Sequence, residues 1–194
     1  MKKYAGLFIA GTILILASCM EHKTIQLPAA YTTKTALPDN SIYQAKQQWQ
    51  NQEGASFNLD TLRGKKTIIT MVFTSCGYAC PRMVENLKAI EEKLPAAKKD
   101  QVRFVLVSFD TEYDTPEVLK AYAQQYQLGT NWTLLNGSAA AVKELAMLLD
   151  IRYQQLSSGG FSHNNKKILL DENGVLLYTE DGLDNSEAAI LAKL

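Results

Sequence analysis

Two cysteines that lie close together in the chain are the residues best suited to chemistry. Cys76 and Cys80 follow the apolar, β-branched run 68–73, and apolar residues recur at helical spacing after Pro81. Proline is favoured in the first turn of a helix, so Pro81 places Cys80 at a helix N-terminus and Cys76 just before it. Because free backbone N–H groups and the helix dipole favour thiolate over thiol there, we predict a reactive pair of sulfurs.

The spacing of this pair permits two kinds of chemistry. Residues four apart on a helix have Cβ atoms roughly 5–6 Å apart, and a disulfide tolerates Cα separations of about 4.4–6.8 Å. Cys76 and Cys80 can therefore close as a disulfide or bind a soft metal through both sulfurs. An inert structural disulfide is the ordinary alternative, but a bond that closes so short a loop stabilises a fold little.

The start of the chain predicts export and a lipid anchor. Lys2 and Lys3 precede the apolar run 4–17, which has the pattern of a secretory signal and is too short for a transmembrane helix. Leu-Ala-Ser before Cys19 resembles the lipobox of bacterial lipoproteins, in which the cysteine becomes the lipidated N-terminus. An uncleaved anchor is the alternative. Two further cysteines outside the cytoplasm must be kept reduced or used for their redox state.

The domain organisation follows from this start. We predict a lipoprotein signal peptide at 1–18, a flexible tether at 19–40, and one domain at 41–194 that faces the periplasm from a membrane. His22 lies in the tether, where a solvated side chain is the simplest interpretation. The formal net charge is +0 and no long basic run occurs, which argues against a nucleic-acid partner.

Strand and helix patterns alternate along the domain, which predicts an α/β fold with a mixed central sheet flanked by helices. The first strands are expected to form an added N-terminal β-hairpin, and the cysteine pair after an early central strand is the thioredoxin-like arrangement. The predicted strands are 42–49, 56–59, 68–73, 102–109, 132–135, 166–170 and 175–178, and the predicted helices begin near 80, 115, 138 and 185.

A third group is expected to meet the cysteines at the carboxyl ends of the strands, where such sheets bind ligands. The segments 110–112 and 161–163 both reach this edge in the predicted topology. Thioredoxins hold a cis-proline facing the cysteines, but no proline follows Pro116 here and His163 stands in that neighbourhood. This exchange points away from a general dithiol reductase and towards a site with a third ligand.

Two sulfurs and an imidazole suit copper, because sulfur is soft enough for Cu(I) and nitrogen makes Cu(II) acceptable. Zinc is the competitor, although a structural zinc site usually has four protein ligands. A functionally silent, exposed His163 is the alternative for that residue. Asp110 could orient His163 from outside the ligand set or attract a positive partner surface, or it could simply begin the turn into the next helix.

These residues resemble the Sco/SenC family, and the similarity runs from about residue 41 to 178. The CxxxCP, DxExDTP and histidine combination is highly specific. The matching motifs are Trp49-x-x-Gln52-x-Gly54, Asp60-x-x-Arg63-Gly64-Lys65, Phe73-Thr74-x-Cys76-x-x-x-Cys80-Pro81, Val107-Ser108-x-Asp110-x-Glu112-x-Asp114-Thr115-Pro116, and His163 before Ile168-Leu169-Leu170-Asp171-x-x-Gly174.

The resemblance implies a membrane-anchored, thioredoxin-like copper-binding protein that helps to metallate the CuA centre of cytochrome c oxidase. It implies Cys76, Cys80 and His163 as copper ligands and Asp110 as the acidic residue near them. Some members are proposed to act as thiol reductants instead. Many have proline and then an acid after the first cysteine, where this chain has Gly77 and Tyr78, and a lipid cysteine replaces the usual transmembrane helix.

Two functions therefore remain open. The first is a metallochaperone that delivers copper to an oxidase subunit or another extracytoplasmic cuproprotein. The second is an extracytoplasmic thiol-disulfide oxidoreductase, in which Cys76 and Cys80 are the catalytic redox pair and form a disulfide when oxidised. A thiol peroxidase fits less well, because position 73 is Phe instead of threonine. A purely structural surface lipoprotein would bind no metal and hold an unreactive disulfide.

Overall fold

A computed structural model describes residues 36–157, 159–183 and 187–194. In it, the apolar and β-branched runs of the sequence form the strands at the centre of the domain. The signal peptide predicted at 1–18, the lipidated Cys19 and His22 lie outside the described residues, as does most of the tether predicted at 19–40. No helix within the described ranges is long and apolar enough to cross a bilayer.

The secondary structure follows the predicted alternation. The strands are β1 (Trp49–Asn51), β2 (Ser56–Phe57), β3 (Lys66–Val72), β4 (Val102–Ser108), β5 (Trp132–Gly137), β6 (Tyr153–Gln155), β7 (Phe161–His163), β8 (Lys166–Leu170) and β9 (Leu176–Asp181). The helices are α1 (Ala79–Lys93), α2 (Ala96–Lys99), α3 (Pro116–Gln125), α4 (Ala139–Leu148) and α5 (Ala188–Leu191). Two 3-10 helices cover Ile42–Gln44 and Leu59–Leu62.

Seven strands form one mixed sheet in the order β2-β1-β5-β4-β3-β8-β9. The central strands β5, β4 and β3 run parallel, while β1, β8 and β9 pair antiparallel with their neighbours. The strands β6 and β7 form a separate two-stranded sheet. The predicted α/β fold with a mixed sheet and an N-terminal hairpin is therefore confirmed, although that hairpin is shorter than expected.

The helices that flank the sheet begin where the sequence predicts. In α1, Met83, Val84, Leu87 and Ile90 are buried, which matches the apolar face expected of a helix packed on a sheet. Thr115 caps α3 by accepting a hydrogen bond from the backbone N–H of Val118. The strand β4 is buried at six of its seven residues, as a strand covered on both faces requires.

The strand predicted at 42–49 is wrong for its first half. Ile42–Gln44 is a 3-10 helix, because the Ser41 side chain accepts a hydrogen bond from the Tyr43 backbone N–H and the Tyr43 hydroxyl donates to Thr67 of β3 at 3.0 Å. A Cβ at Gly174 would lie 2.5 Å from the Tyr43 ring, so glycine is required where this segment crosses the β8–β9 turn.

Two further elements differ from the prediction. The hairpin formed by β6 and β7 was expected to be loop, and it places His163 opposite Tyr153 in its register. The last helix was expected to run from about residue 185 to the end of the chain, whereas α5 has four residues. Three-residue strands and a four-residue helix are too short for a hydrophobic period to be recognised in the sequence.

Candidate metal centre

Cys76 lies in the loop between β3 and α1, with its sulfur at the start of the helix. The backbone N–H of Cys80 donates to Cys76 Sγ at 3.4 Å. No side chain caps α1 at Tyr78, so the sulfur serves as an acceptor for the free N–H groups of the first turn. Burial alone would raise the pKa of Cys76, but these backbone hydrogen bonds outweigh it and place the pKa below its ordinary value. This half-buried residue is therefore the more acidic thiol.

Cys80 lies in the first turn of α1 and is fully buried, at 0% exposure. Burial raises the pKa of its thiol well above the ordinary value, and the nearby sulfur of Cys76 adds to that rise. Both cysteines are free thiols in this structure. The predicted position of Cys80 at the helix N-terminus is confirmed, and the pair combines one accessible sulfur with one buried sulfur.

His163, the last residue of β7, faces this pair from the opposite side. Its Nε2 lies 3.8 Å from Cys80 Sγ, and its Nδ1 lies 3.2 Å from the backbone carbonyl oxygen of Asn164. Because a carbonyl only accepts hydrogen bonds, Nδ1 carries the proton and Nε2 presents its lone pair to the cysteine. Burial lowers the pKa of His163, which favours the neutral form that binds metals.

Aromatic rings surround the imidazole. The His163 ring lies 5.0 Å from the Phe109 ring and 6.2 Å from the Phe73 ring, measured between centroids. Phe161 packs edge-on against Phe73 at 5.3 Å. These rings hold the imidazole in one orientation and exclude water from its faces, which is the physical cause of its lowered pKa.

Asp110 follows β4 at the same edge of the sheet, as predicted, but it does not hold the histidine. Its carboxylate accepts a hydrogen bond from the backbone N–H of Tyr113 at 3.1 Å. The hydrogen bond from His163 Nδ1 goes to the carbonyl oxygen of Asn164 and not to Asp110. The structure therefore shows the turn-forming interpretation of Asp110 and not the one in which it orients His163, while attraction of a positive partner surface stays a prediction. The residue also lines a cavity beside the histidine.

Asp114 is the residue that sequence analysis underrated. It is 0% exposed, and its carboxylate accepts hydrogen bonds from the Thr74 backbone N–H at 3.0 Å and from the hydroxyls of Thr74 and Ser108. These bonds join the loop that carries Cys76 to the end of β4. The signal was present in the DxExDTP motif, but aspartate before a helix is usually interpreted as a capping residue.

The three predicted ligands come from the β3–α1 loop, α1 and β7, and the structure brings Cys80 and His163 into contact with Cys76 beside Cys80. No group of three or more His, Cys, Asp or Glu side chains among the described residues already surrounds a single point at metal-binding distance. Cys80 Sγ and His163 Nε2 are 3.8 Å apart, and Cys76 Sγ lies 3.4 Å from the backbone nitrogen of Cys80. This donor set fits copper, which accepts soft sulfur and imidazole together.

Comparisons with known proteins show to which family this chain belongs. The SCO1/SenC family matches residues 36–194. The chain belongs to this family. It is 30% identical over 142 residues to the SCO1 protein homolog of Bacillus subtilis (strain 168), an alignment that covers 71% of this chain and 73% of that protein.

Solved structures of SCO1/SenC and Sco proteins share the fold. A SCO1/SenC family lipoprotein from Bacillus anthracis is 29% identical with a TM-score of 0.68, covering 75% of this chain and 89% of that one. BsSco, a member of the Sco family of cytochrome c oxidase assembly proteins in which a disulfide switch was identified, is 28% identical with a TM-score of 0.66 and covers 75% and 87%. Arabidopsis thaliana ScoI with copper bound shares the fold at 21% identity, with a TM-score of 0.66 over 75% and 91% of the two chains.

Proposed function

We propose that the protein binds copper through Cys76, Cys80 and His163 and passes it to the copper-site subunit of cytochrome c oxidase or to another extracytoplasmic cuproprotein. The observation that carries the proposal is the 3.8 Å contact between Cys80 Sγ and His163 Nε2. Because the Asn164 carbonyl oxygen accepts the hydrogen bond from the Nδ1 proton, Nε2 keeps its lone pair. A neutral imidazole that points its lone pair at a buried thiol is arranged for a shared metal ion.

Copper is the cargo in this proposal. Membership of the SCO1/SenC family, a relative solved with copper bound and the donor set of this chain support it. Cys80 and His163 provide the buried side of the site, while the half-buried Cys76 provides the side that an incoming ligand can reach. Transfer then proceeds by ligand exchange at Cys76, and the thiols of the acceptor replace those of the donor one at a time.

The cellular location is part of the same proposal. A lipid on Cys19, after removal of 1–18, would hold the domain 41–194 on a membrane outside the cytoplasm through the tether 19–40. The lipobox and the SCO1/SenC lipoprotein from Bacillus anthracis support this. Metabolic labelling with a radioactive fatty acid should mark the wild-type chain and leave Cys19→Ala unlabelled, and equal labelling of both would exclude the anchor.

The direct test is copper titration of the reduced full-length protein with Cu(I) and Cu(II) separately. We expect one copper per chain and, for Cu(II), a thiolate-to-copper absorption band that is lost in His163→Ala. The chain has two histidines, so His22→Ala is the matched control and should keep both the stoichiometry and the band.

A Cys76→Ala/Cys80→Ala variant should lose its copper to a chelator that leaves the wild type loaded. Equal retention by the variant and the wild type would refute the proposed site. If His22→Ala lost as much copper as His163→Ala, then His22 in the N-terminal region would also be needed to bind copper, which would contradict the proposed ligand set.

The second candidate is a thiol-disulfide oxidoreductase, which the asymmetry of the two thiols favours. Cys76 is accessible and its pKa is lowered, whereas Cys80 is buried and its pKa is raised. The Cys76 thiolate would attack a client disulfide and release one client thiolate. Cys80 would then lose its proton and attack the mixed disulfide, so that the client leaves reduced and the Cys76–Cys80 disulfide remains. Reductase activity that survives in His163→Ala, in a protein that binds no copper, would establish this candidate.

A further inference from the structure

A cavity beside the predicted metal site has no role in holding the metal. Its volume is about 220 Å³, and it opens between the loop after β4, the helix α4 and the β6–β7 hairpin. Its lining includes three aromatic residues, Phe109, Tyr153 and Phe161, and two acidic residues, Asp110 and Glu112. Because the Phe109 ring also packs on His163 at 5.0 Å, whatever fills the cavity sits next to the metal ligands.

The three aromatic rings form one continuous assembly. Phe109 stacks on Tyr153 with ring centroids 4.8 Å apart and on Phe161 at 6.1 Å, and Tyr153 and Phe161 are 6.3 Å apart. Phe109 is buried, whereas the other two rings are partly exposed to the cavity. Where a ring face is open to the cavity, it carries negative potential towards a group that approaches it.

The carboxylates add charge of the same sign. Among the described residues, neither Asp110 nor Glu112 forms an ion pair, and the residues that line the cavity include no lysine or arginine. Glu112 is exposed, and Asp110 is partly buried at the floor of the same loop. The cavity therefore combines aromatic faces with two negative charges that the described part of the chain leaves unbalanced.

This combination selects an organic cation. An anion would be repelled, and an apolar group would take water from the carboxylates without replacing its hydrogen bonds. A hard metal ion prefers six or more oxygen ligands and gains nothing from ring faces. A lysine or arginine side chain suits both kinds of lining residue, because its apolar stem packs on aromatic rings and its N–H groups donate to carboxylates.

We infer that this cavity binds a lysine or arginine side chain of the protein that exchanges copper with the site. The inference rests on the proposed function, since it assumes that a partner protein approaches Cys76. A basic side chain held in this cavity beside Glu112 would fix the partner close to His163, which packs on Phe109, and the negative loop would steer a basic partner surface towards it.

The first test measures binding without metal. Nitrogen-15 labelled full-length apoprotein is titrated with the end-blocked peptide Gly-Lys-Lys-Gly and, as control, with Gly-Gln-Gln-Gly. We expect saturable amide shifts centred on residues 109–112 and 161–163 for the lysine peptide alone. The substitution Glu112→Lys should weaken that binding about tenfold, because it places like charges together, while Glu92→Lys, on the exposed face of α1, should leave it unchanged.

Two results of this titration would overturn the inference. One is a set of lysine-peptide shifts that spread over the whole surface without saturating. The other is a Glu112→Lys variant that binds the lysine peptide as well as the wild type does. Neither result depends on copper, so neither bears on the metal site.

The second test measures transfer from the copper-loaded full-length protein to a two-cysteine acceptor peptide, made with flanking lysines or with glutamines in their place. We expect about tenfold faster transfer to the lysine peptide at low ionic strength, an advantage that salt and Glu112→Lys both abolish. Equal rates for the two peptides would overturn the cation pocket and leave the copper function standing. Absence of copper binding in the wild type would instead refute the proposed function, and the pocket would then be judged on the titration alone.

Discussion

Replacement of the buried Asp114 should damage both the stability of the domain and the loop that carries Cys76. Asp114→Ala leaves three donors without their acceptor, namely the Thr74 backbone N–H and the hydroxyls of Thr74 and Ser108. The Ser108 hydroxyl has the Asp110 carbonyl 3.4 Å away as an alternative acceptor. Two stranded donors at about 1–3 kcal/mol each give a loss of about 2–6 kcal/mol in the free energy of unfolding.

Urea denaturation followed by tryptophan fluorescence measures this loss. The matched control is Asp100→Ala, which removes an exposed aspartate at the end of α2 and should change the free energy of unfolding by less than about 0.5 kcal/mol. A loss below about 1 kcal/mol in Asp114→Ala would refute the view that this carboxylate joins the cysteine loop to β4, since a single ordinary hydrogen bond accounts for that much.

The same carboxyl group predicts a pH dependence. Burial raises the pKa of Asp114, and the hydrogen bonds from Ser108 and Thr74 only partly oppose that rise. The folded state therefore holds the proton more tightly than the unfolded chain does, so this group favours folding most below its unfolded pKa of about 3.8 and loses that contribution as the pH rises through the folded pKa. Wild type should thus lose stability relative to Asp114→Asn between pH 4 and pH 7, and the opposite trend would show that the hydrogen bonds dominate.

Three further changes have defined outcomes. Gly137→Ala should lower the free energy of unfolding by about 1–3 kcal/mol, because a Cβ there would lie 2.5 Å from the Trp49 ring; equal urea midpoints would contradict this. Thr115→Ala should cost about 1 kcal/mol through the lost cap of α3, measured in the same assay. Iodoacetamide should alkylate Cys76 long before Cys80, since only Cys76 is accessible and acidic, and peptide mass spectrometry would reveal the reverse order.

The fold could be predicted from the sequence wherever one signal dominates. The strand β4 is apolar along its length because both of its faces are covered, and α1 has Pro81 in its first turn and an apolar stripe behind it. The placement of Cys76, Cys80 and Asp110 at one edge followed from topology, because the carboxyl ends of the parallel strands β3 and β4 share that edge of the sheet. These are features that a local pattern or a chain order specifies.

The features that were missed depend on contacts between distant residues. The hairpin β6–β7 consists of two three-residue strands in a polar stretch, and aromatic packing against Phe109 holds it. The sequence pattern around Asp114 is that of a helix cap. Only the structure shows that Thr74 and Ser108 both donate hydrogen bonds to its carboxylate. The role of the Asn164 carbonyl at His163 has no sequence signature, because every residue has a backbone carbonyl oxygen that could accept this hydrogen bond.

The separate two-stranded sheet divides the predicted ligands into a fixed pair and a movable partner. Cys76 and Cys80 are tied to α1 and the seven-stranded sheet, whereas His163 ends a hairpin that pairs only with itself among the described strands. Local opening of such a hairpin costs less free energy than global unfolding. The imidazole can therefore leave the site while the thiols stay in place, and amide hydrogen exchange should show residues 153–163 opening in a step of their own, ahead of β3 and β4. In the proposed copper site, such an opening would detach the histidine ligand while the thiols of an acceptor exchange at Cys76.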